Sequence, residues 1–183
     1  MSDDPPVSGL QELLAEIEAG KSPPVDQWNP EHCGHSGMRI ARDGTWFHDG
    51  SPIGRREIVR LFSSVLRREP DGSHVLVTPV EKLTIDVEDA PFVAIGLESE
   101  GSGRSHRLGF RLNTGDAVIA GADRPLRIEP GEDGPRPYLR VRGGLDALVA
   151  RPVYYELIDL ALGEGGDPPG LWSDGAFFPF SET

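Results

Sequence analysis

Thr78-Pro79-Val80-Glu81-Lys82-Leu83-Thr84-Ile85-Asp86-Val87-Glu88-Asp89-Ala90-Pro91-Phe92 reads as one strand framed by two prolines near the middle of the chain. Proline fixes φ and lacks an N–H, so it marks the ends of strands and not their interiors. Leu83, Ile85 and Val87 alternate with Lys82, Thr84, Asp86 and Glu88, the period-two pattern of a strand with one face in a core. Glu81 shares the apolar parity and is expected at the inner face, where a carboxylate must be paired with a cation or open onto a polar crevice. Glu88 and Asp89 follow on a bend before Pro91. Adjacent carboxylates there bind a cation, act as acid and base, or stand in an exposed turn. The strand is expected to end a first lobe and hand the chain to a second at Ala90-Pro91.

Working upstream, Asp43-Gly44 is a strong hairpin signal, a type I′ turn with positive φ at both central residues. A two-residue loop places Ala41 opposite Trp46 and Arg39 opposite His48. Arg39, Ala41, Trp46 and His48 then share one face, and Ile40 and Phe47 the other. The first face mixes aromatic and basic groups, either a platform for a ring and an anion or a surface aromatic covered by the N-terminal arm. Arg55 to Arg68 places Ile58, Leu61, Phe62, Val65 and Leu66 at helical spacing and is expected as a core helix with a basic back. Ser8 and Gln11 make a capping box ahead of Leu10, Leu13, Leu14 and Ile17, so a short amphipathic helix is expected from about Gly9 to Ala19. It must dock on its own chain or on a second copy. Trp28, in a proline-rich connector, is expected to anchor that connector. His32, Cys33 and His35 are ligand types that zinc prefers, but His32 and Cys33 are adjacent and no Cys-x-x-Cys partner exists, so a satisfied loop is the alternative.

Downstream, Phe92 to Leu97 and His106 to Leu112 frame a Gly- and Ser-rich loop, with Leu108, Phe110 and Leu112 facing inward. In Tyr138 to Arg142, Leu139 and Val141 share one face and Tyr138, Arg140 and Arg142 the other. Gly143-Gly144 is expected to open a short helix near Leu145 to Ala150, and Pro152 suits the first turn of another running to about Leu162. The aromatic tail, Leu171 to Phe180, is expected to pack on the fold, line a pocket or form a dimer interface.

The whole chain bounds these readings. Its 183 residues suit one core or two small lobes, and 37% hydrophobic content with a mean hydropathy of -0.33 describes a soluble globular protein. A net charge of -12 argues against a nucleic acid duplex as partner, while a local basic pocket for a nucleotide stays open. Cys33 is the one cysteine, so no intramolecular disulfide forms. The acidic Met1-Ser2-Asp3-Asp4-Pro5-Pro6 start is unlike a signal peptide, and no apolar run is long enough for a bilayer. The expectation is a cytoplasmic protein with no membrane partner and no cofactor.

Both halves show a Gly turn, a proline-led strand and a helix: Asp43-Gly44, Pro52 and Arg55 to Arg68 against Gly115-Asp116, Pro125 and Leu145 to Leu162. The chain also resembles the bacterial family known as domain of unknown function 1285. Trp28 to Gly34, Arg42-Asp43-Gly44 with Trp46, Gly50-Ser51-Pro52-Ile53, Leu61-Phe62, Thr78-Pro79-Val80-Glu81-Lys82 and Val87 to Phe92 carry the likeness in the first half. Pro137-Tyr138 with Val141-Arg142, Arg151 with Tyr154-Tyr155-Glu156-Leu157, and Trp172-Ser173 with Gly175 and Phe177-Phe178 carry it in the second. The resemblance implies an α+β protein of two similar lobes, antiparallel sheets with flanking helices, the second lobe superficially like a pleckstrin-homology barrel. It also implies a nucleotide-like ligand in the crevice between lobes and a signalling role, and it carries over no catalytic residue.

Three segments are expected: an arm over 1–22, a first lobe over 23–90 and a second over 91–183. The leading functional expectation is a regulatory module for a small anion, with Arg39, Arg42, Trp46, His48, Glu81 and Lys82 contributed by the first lobe. Glu88 and Asp89 stand at its end, and Tyr138, Arg142 and Arg151 join from the second. A metal-assisted or acid/base hydrolase using Glu81, Glu88 or Asp89 with His32, Cys33 or His35 is one alternative. A protein-interaction module using the N-terminal helix and the aromatic tail is the other, and either segment offers a route to oligomers.

Overall fold

Thr78 belongs to a turn and not to the strand that follows it. Its N–H donates to Glu81 O at 2.9 Å and its Oγ1 accepts the N–H groups of Val80 and Glu81 at 3.3 and 3.2 Å. A buried hydroxyl thus organises a four-residue reversal with Pro79 inside it. The strand is therefore Lys82–Val87, shorter than the proline-to-proline reading, and Glu81 stands outside its alternation. The structure, a computed structural model, describes residues 23–180. The helix expected from Gly9 to Ala19 lies outside them.

The described residues divide into two units between Asp89 and Ala90. The first holds β1 (Cys33–Ile40), β2 (Trp46–His48), β3 (Ser51–Pro52), α1 (Arg56–Ser64), β4 (Leu66–Arg68), β5 (His74–Val77) and β6 (Lys82–Val87). Its sheet runs β3-β2-β1-β6-β5-β4, antiparallel except at the centre, where β1 and β6 are parallel. Two three-stranded meanders are therefore joined by their first and last strands.

The β1–β2 loop corrects the predicted register. Ala41 N–H donates to Thr45 O and Gly44 N–H to Ala41 O, so the loop has three residues and Ile40, not Ala41, faces Trp46. Gly44 alone takes the positive φ, at 90°. One extra loop residue turns every β2 side chain over. Trp46 joins Met38 and Ile40 in the core, 1% exposed and stacked on Phe62 of α1 at 6.4 Å, and Arg39 shares the opposite face with Phe47.

The helix ends at Ser64, not at Arg68. Ser63 and Ser64 donate their hydroxyls back to Arg60 O and Leu61 O, competing with the helical ladder. Leu66 to Arg68 then pairs with β5, which buries Leu66 beside Leu76. Arg67 leaves on the other face, where it donates to Val25 O at 2.8 Å, Trp28 O at 2.7 Å and Glu69 Oε1 at 2.8 Å. This holds the connector around Trp28. Arg67→Met, which keeps the apolar stem, is expected to cost about 2 kcal/mol in urea denaturation, the scale of hydrogen bonds to a charged group.

In the turn itself, Asp43 Oδ1 accepts the Thr45 N–H at 2.9 Å. That bond, followed by one from the Thr45 side chain, holds the carboxyl below its ordinary 3.8. A depressed carboxylate contributes stability above its ordinary range and loses it as the pH falls through its folded value. Asp43→Asn should therefore lose less Tm than the parent between about pH 5 and about pH 2.

The second unit repeats the plan. It holds β7 (Phe92–Glu100), β8 (Arg107–Leu112), β9 (Ala117–Ile119), β10 (Leu126–Glu129), β11 (Arg136–Arg142) and β12 (Leu145–Val149). Then follow α2 (Arg151–Glu164), β13 (Gly170–Ser173) and β14 (Ala176–Pro179). Its sheet order is β10-β11-β12-β7-β8-β9, with β12 and β7 parallel at the centre, strand for strand the order of the first sheet. Each is a curled half-barrel, compatible with the pleckstrin-homology likeness. The repeat aligns differently from the sequence pattern. The turn at Asn113 to Asp116 joins the second and third strands, so its counterpart is Asp49-Gly50 and not Asp43-Gly44. The helices are also not equivalent: α1 links the two meanders, whereas α2 follows the sixth strand.

Gly143-Gly144, with φ of 50° and 81°, is a hairpin turn, so Leu145 to Val149 is a strand and not the expected helix. The helix read from Pro152 is present as α2, closed by Gly165 in the left-handed region. Leu108, Phe110 and Leu112 face inward as expected, and the aromatic tail forms the β13–β14 hairpin, with Leu171 and Phe178 buried. Among the described residues no helix is long and apolar enough to cross a membrane.

Candidate functional site

The hairpin at Gly143-Gly144 returns the chain so that Asp146 lies opposite Arg140, and β10 brings Arg127 opposite Tyr138. Alternation then places Arg127, Glu129, Arg136, Tyr138, Arg140 and Asp146 on one face of the second sheet. Asp146 is its pivot. Its side chain is 8% exposed, accepting from Arg140 Nε at 2.7 Å and pairing with Arg127 Nη2 at 3.0 Å. Arg127 Nε also donates to Glu129 Oε1 at 2.8 Å, and its guanidinium lies 4.9 Å from the centre of the Tyr138 ring. Burial opposes the charge on Arg127, but the hydrogen bonds and charges of Asp146 and Glu129 outweigh it and raise its pKa above the ordinary guanidinium value.

Three arginines against two carboxylates leave this face one positive charge, in a chain that carries -12. Two guanidinium forks held by one buried carboxylate are fixed in direction, which is what planar recognition of an oxyanion needs. The expected Tyr138 and Arg140 are here, Tyr138 itself being 6% exposed. Arg142 is not. A register irregularity after Arg140 sets Arg142 opposite Leu145 and takes it out of the alternation. Sequence reading missed Arg127, Glu129 and Asp146. Reading Gly143-Gly144 as a type I′ turn would have put Asp146 across from Arg140.

The first unit disperses its expected residues. Trp46 is buried and is no stacking platform for a ligand. His48 is half-buried, 3.5 Å from Asp49 Oδ2. Arg39 lies 4.3 Å over Phe47 and pairs with Glu88, whose second oxygen accepts the Arg42 backbone N–H at 2.9 Å. Glu88 thereby ties the end of β6 to the β1–β2 loop. Glu81 is 4.0 Å from His32, and His35 is 3.5 Å from Asp86. Cys33 is exposed and pairs across the sheet with half-buried Lys82. Among the described residues no three His, Cys, Asp or Glu side chains are grouped to hold a metal ion. The residues proposed for acid/base work thus go to separate partners: Glu81 to His32, Glu88 to Arg39 and Arg42, His35 to Asp86. Asp89 is half-buried beside Ala90, and Arg151 is exposed at the first turn of α2.

Residues 23–90 match the family model for domain of unknown function (DUF1285), N-terminal domain, and residues 91–180 that for protein of unknown function (DUF1285), C-terminal domain. No curated protein matches. The chain is similar to the crystal structure of a DUF1285 family protein from Silicibacter pomeroyi DSS-3, with 47% identity and a TM-score of 0.82 over 94% of each chain. It is also similar to a DUF1285 family protein from Shewanella baltica OS155, with 26% identity and a TM-score of 0.54 over 67% of this chain and 90% of that one.

Proposed function

The chain belongs to the DUF1285 family, and from that premise we propose that it is a regulatory module whose C-terminal unit binds a small, nucleotide-like anion on the Arg127–Tyr138–Arg140 face. One observation carries the reading: two arginines oriented by a carboxylate that is 8% exposed, on a sheet face of net positive charge in a strongly acidic chain. A surface ion pair has no reason to be built around a buried acid, since exposed pairs contribute about 0–1 kcal/mol and burying the acid costs more. Phosphate oxygens suit the forks, and the Arg127 guanidinium offers a flat cationic surface to a base. In bacterial signalling, such a module reports ligand level through its own stability and conformation.

Titration calorimetry and thermal shift with mono- and dinucleotides test this. Ligand at about 100 times its Kd should stabilise the C-terminal unit by about 2.7 kcal/mol. Arg127→Ala and Arg140→Ala should each weaken binding at least about 10-fold, the loss of one charge-assisted contact. No shift at millimolar nucleotide ends the proposal.

A further inference from the structure

His106 directly precedes β8 and shares the parity of Leu108, Phe110 and Leu112, the apolar face of that strand. It is 2% exposed, in a place that a leucine would fill at no polar cost. Its Nε2 lies 2.5 Å from Ser99 Oγ, while Nδ1 is buried with no hydrogen-bond partner among the described residues. An unpaired buried nitrogen is costly, so packing gives no reason for an imidazole here. Ser99 stands near the end of β7, opposite Leu108, and is exposed.

The surrounding backbone is clamped. Asp174 N–H donates to His106 O at 3.1 Å. Ser173 Oγ accepts the Leu108 N–H at 2.9 Å and donates to Ala120 O at 2.7 Å. The β13–β14 hairpin therefore fixes the strand that carries the histidine, and the histidine meets the hydroxyl of an exposed serine. A held base beside an accessible alcohol is the geometry of an activated nucleophile.

We propose that Ser99 and His106 form a nucleophilic pair that accepts an acyl group from a small activated ester. Ser99 Oγ attacks the carbonyl carbon as its proton passes to His106 Nε2. The alcohol leaves with that proton, and the acyl group stays on Oγ. Water then attacks the acyl carbon, giving a proton to Nε2, which returns it to Ser99 as the acid departs. The pair works from the tautomer with hydrogen on Nδ1. No carboxylate holds that nitrogen among the described residues, so the imidazolium lacks the partner that completes a triad. Losing that partner costs about 10⁴-fold in serine proteases, so acylation is slow and the acyl group long-lived.

The full chain treated with a fluorophosphonate tests the pair, because the Oγ–P bond forms as P–F breaks, fluoride leaves and the hydroxyl proton goes to Nε2. Peptide mass spectrometry should place the adduct on Ser99, formed at least about 10²-fold faster than on a free peptide spanning 95–103. Ser99→Ala should not label, whereas Ser102→Ala and Ser105→Ala should label as the parent does. His106→Gln, if native by circular dichroism, should lose the acceleration. No adduct, an adduct on Ser102 or Ser105, or a folded His106→Gln that labels at the parent rate overturns the proposal. If His106→Gln unfolds, the comparison with the free peptide decides: an equal rate refutes the pair. None of these outcomes depends on the anion site, whose arginines lie on β10 and β11.

Discussion

Trp46→Ala is expected to cost the N-terminal unit about 3–5 kcal/mol, the range for emptying a large aromatic from a core. The indole is 1% exposed, shares its face with Met38 and Ile40, and stacks on Phe62 at an interplanar angle of 16°. It joins the sheet to α1, so the cavity would open between two layers that cannot collapse without moving the helix. Trp46→Phe separates the causes. The indole Nε1 is buried with no partner among the described residues, so phenylalanine removes an orphaned donor while keeping a ring against Phe62. Its cost should be less than half that of alanine. Urea denaturation followed by circular dichroism reads both, and an alanine variant within about 1 kcal/mol of the parent would refute the buried register.

Asp146→Ala is the second large effect, about 2–3 kcal/mol lost from the C-terminal unit. Removing one partner of a fully buried pair costs about 3–5 kcal/mol. Here the carboxylate is 8% exposed, but Arg127 and Arg140 are 39% and 38% exposed, so water takes over part of their solvation and the lower figure applies. Asp146→Asn keeps the shape and some hydrogen bonding and should fall between parent and alanine. A loss below about 0.5 kcal/mol would mean that the two arginines ignore the acid, and the oriented forks would go with it.

The sequence made one parity legible and hid another. Leu108, Phe110 and Leu112 point inward because strict alternation admits one answer, and α2 begins where Pro152 places it and runs two residues past Leu162, to Glu164. The first hairpin failed on a count of one: Asp43-Gly44 fits a two-residue loop, yet Asp43 bonding Thr45 favours three, and Trp46 moved from platform to core. Gly143-Gly144 ahead of an apolar run reads as a helix opening, but two adjacent glycines at positive φ make a tight reversal, and the position of Asp146 depends on that difference. Ser63-Ser64 ended α1 through hydroxyls whose preference for the backbone over water no periodicity reports. The repeated lobes were visible from spacing, but their alignment was one hairpin out, because loops and helices diverge faster than strand order. Thr78 to Phe92 stands out in the sequence for its prolines. Its structural weight lies instead in a buried threonine hydroxyl and in Glu88, which closes β6 onto the first loop.

The parallel pairing of β1 with β6, and of β7 with β12, has a consequence in time. During synthesis each half makes its central strand first and that strand's neighbour last, so through four further strands β1 or β7 has one open edge. Neither sheet can close gradually, and the contacts that close it join residues far apart in sequence, the arrangement that slows folding. The ribosome therefore releases two successive intervals of exposure, each ended by a single strand. A chain stalled before Lys82 or before Leu145 would present an unpaired central edge, where association with another copy begins most readily.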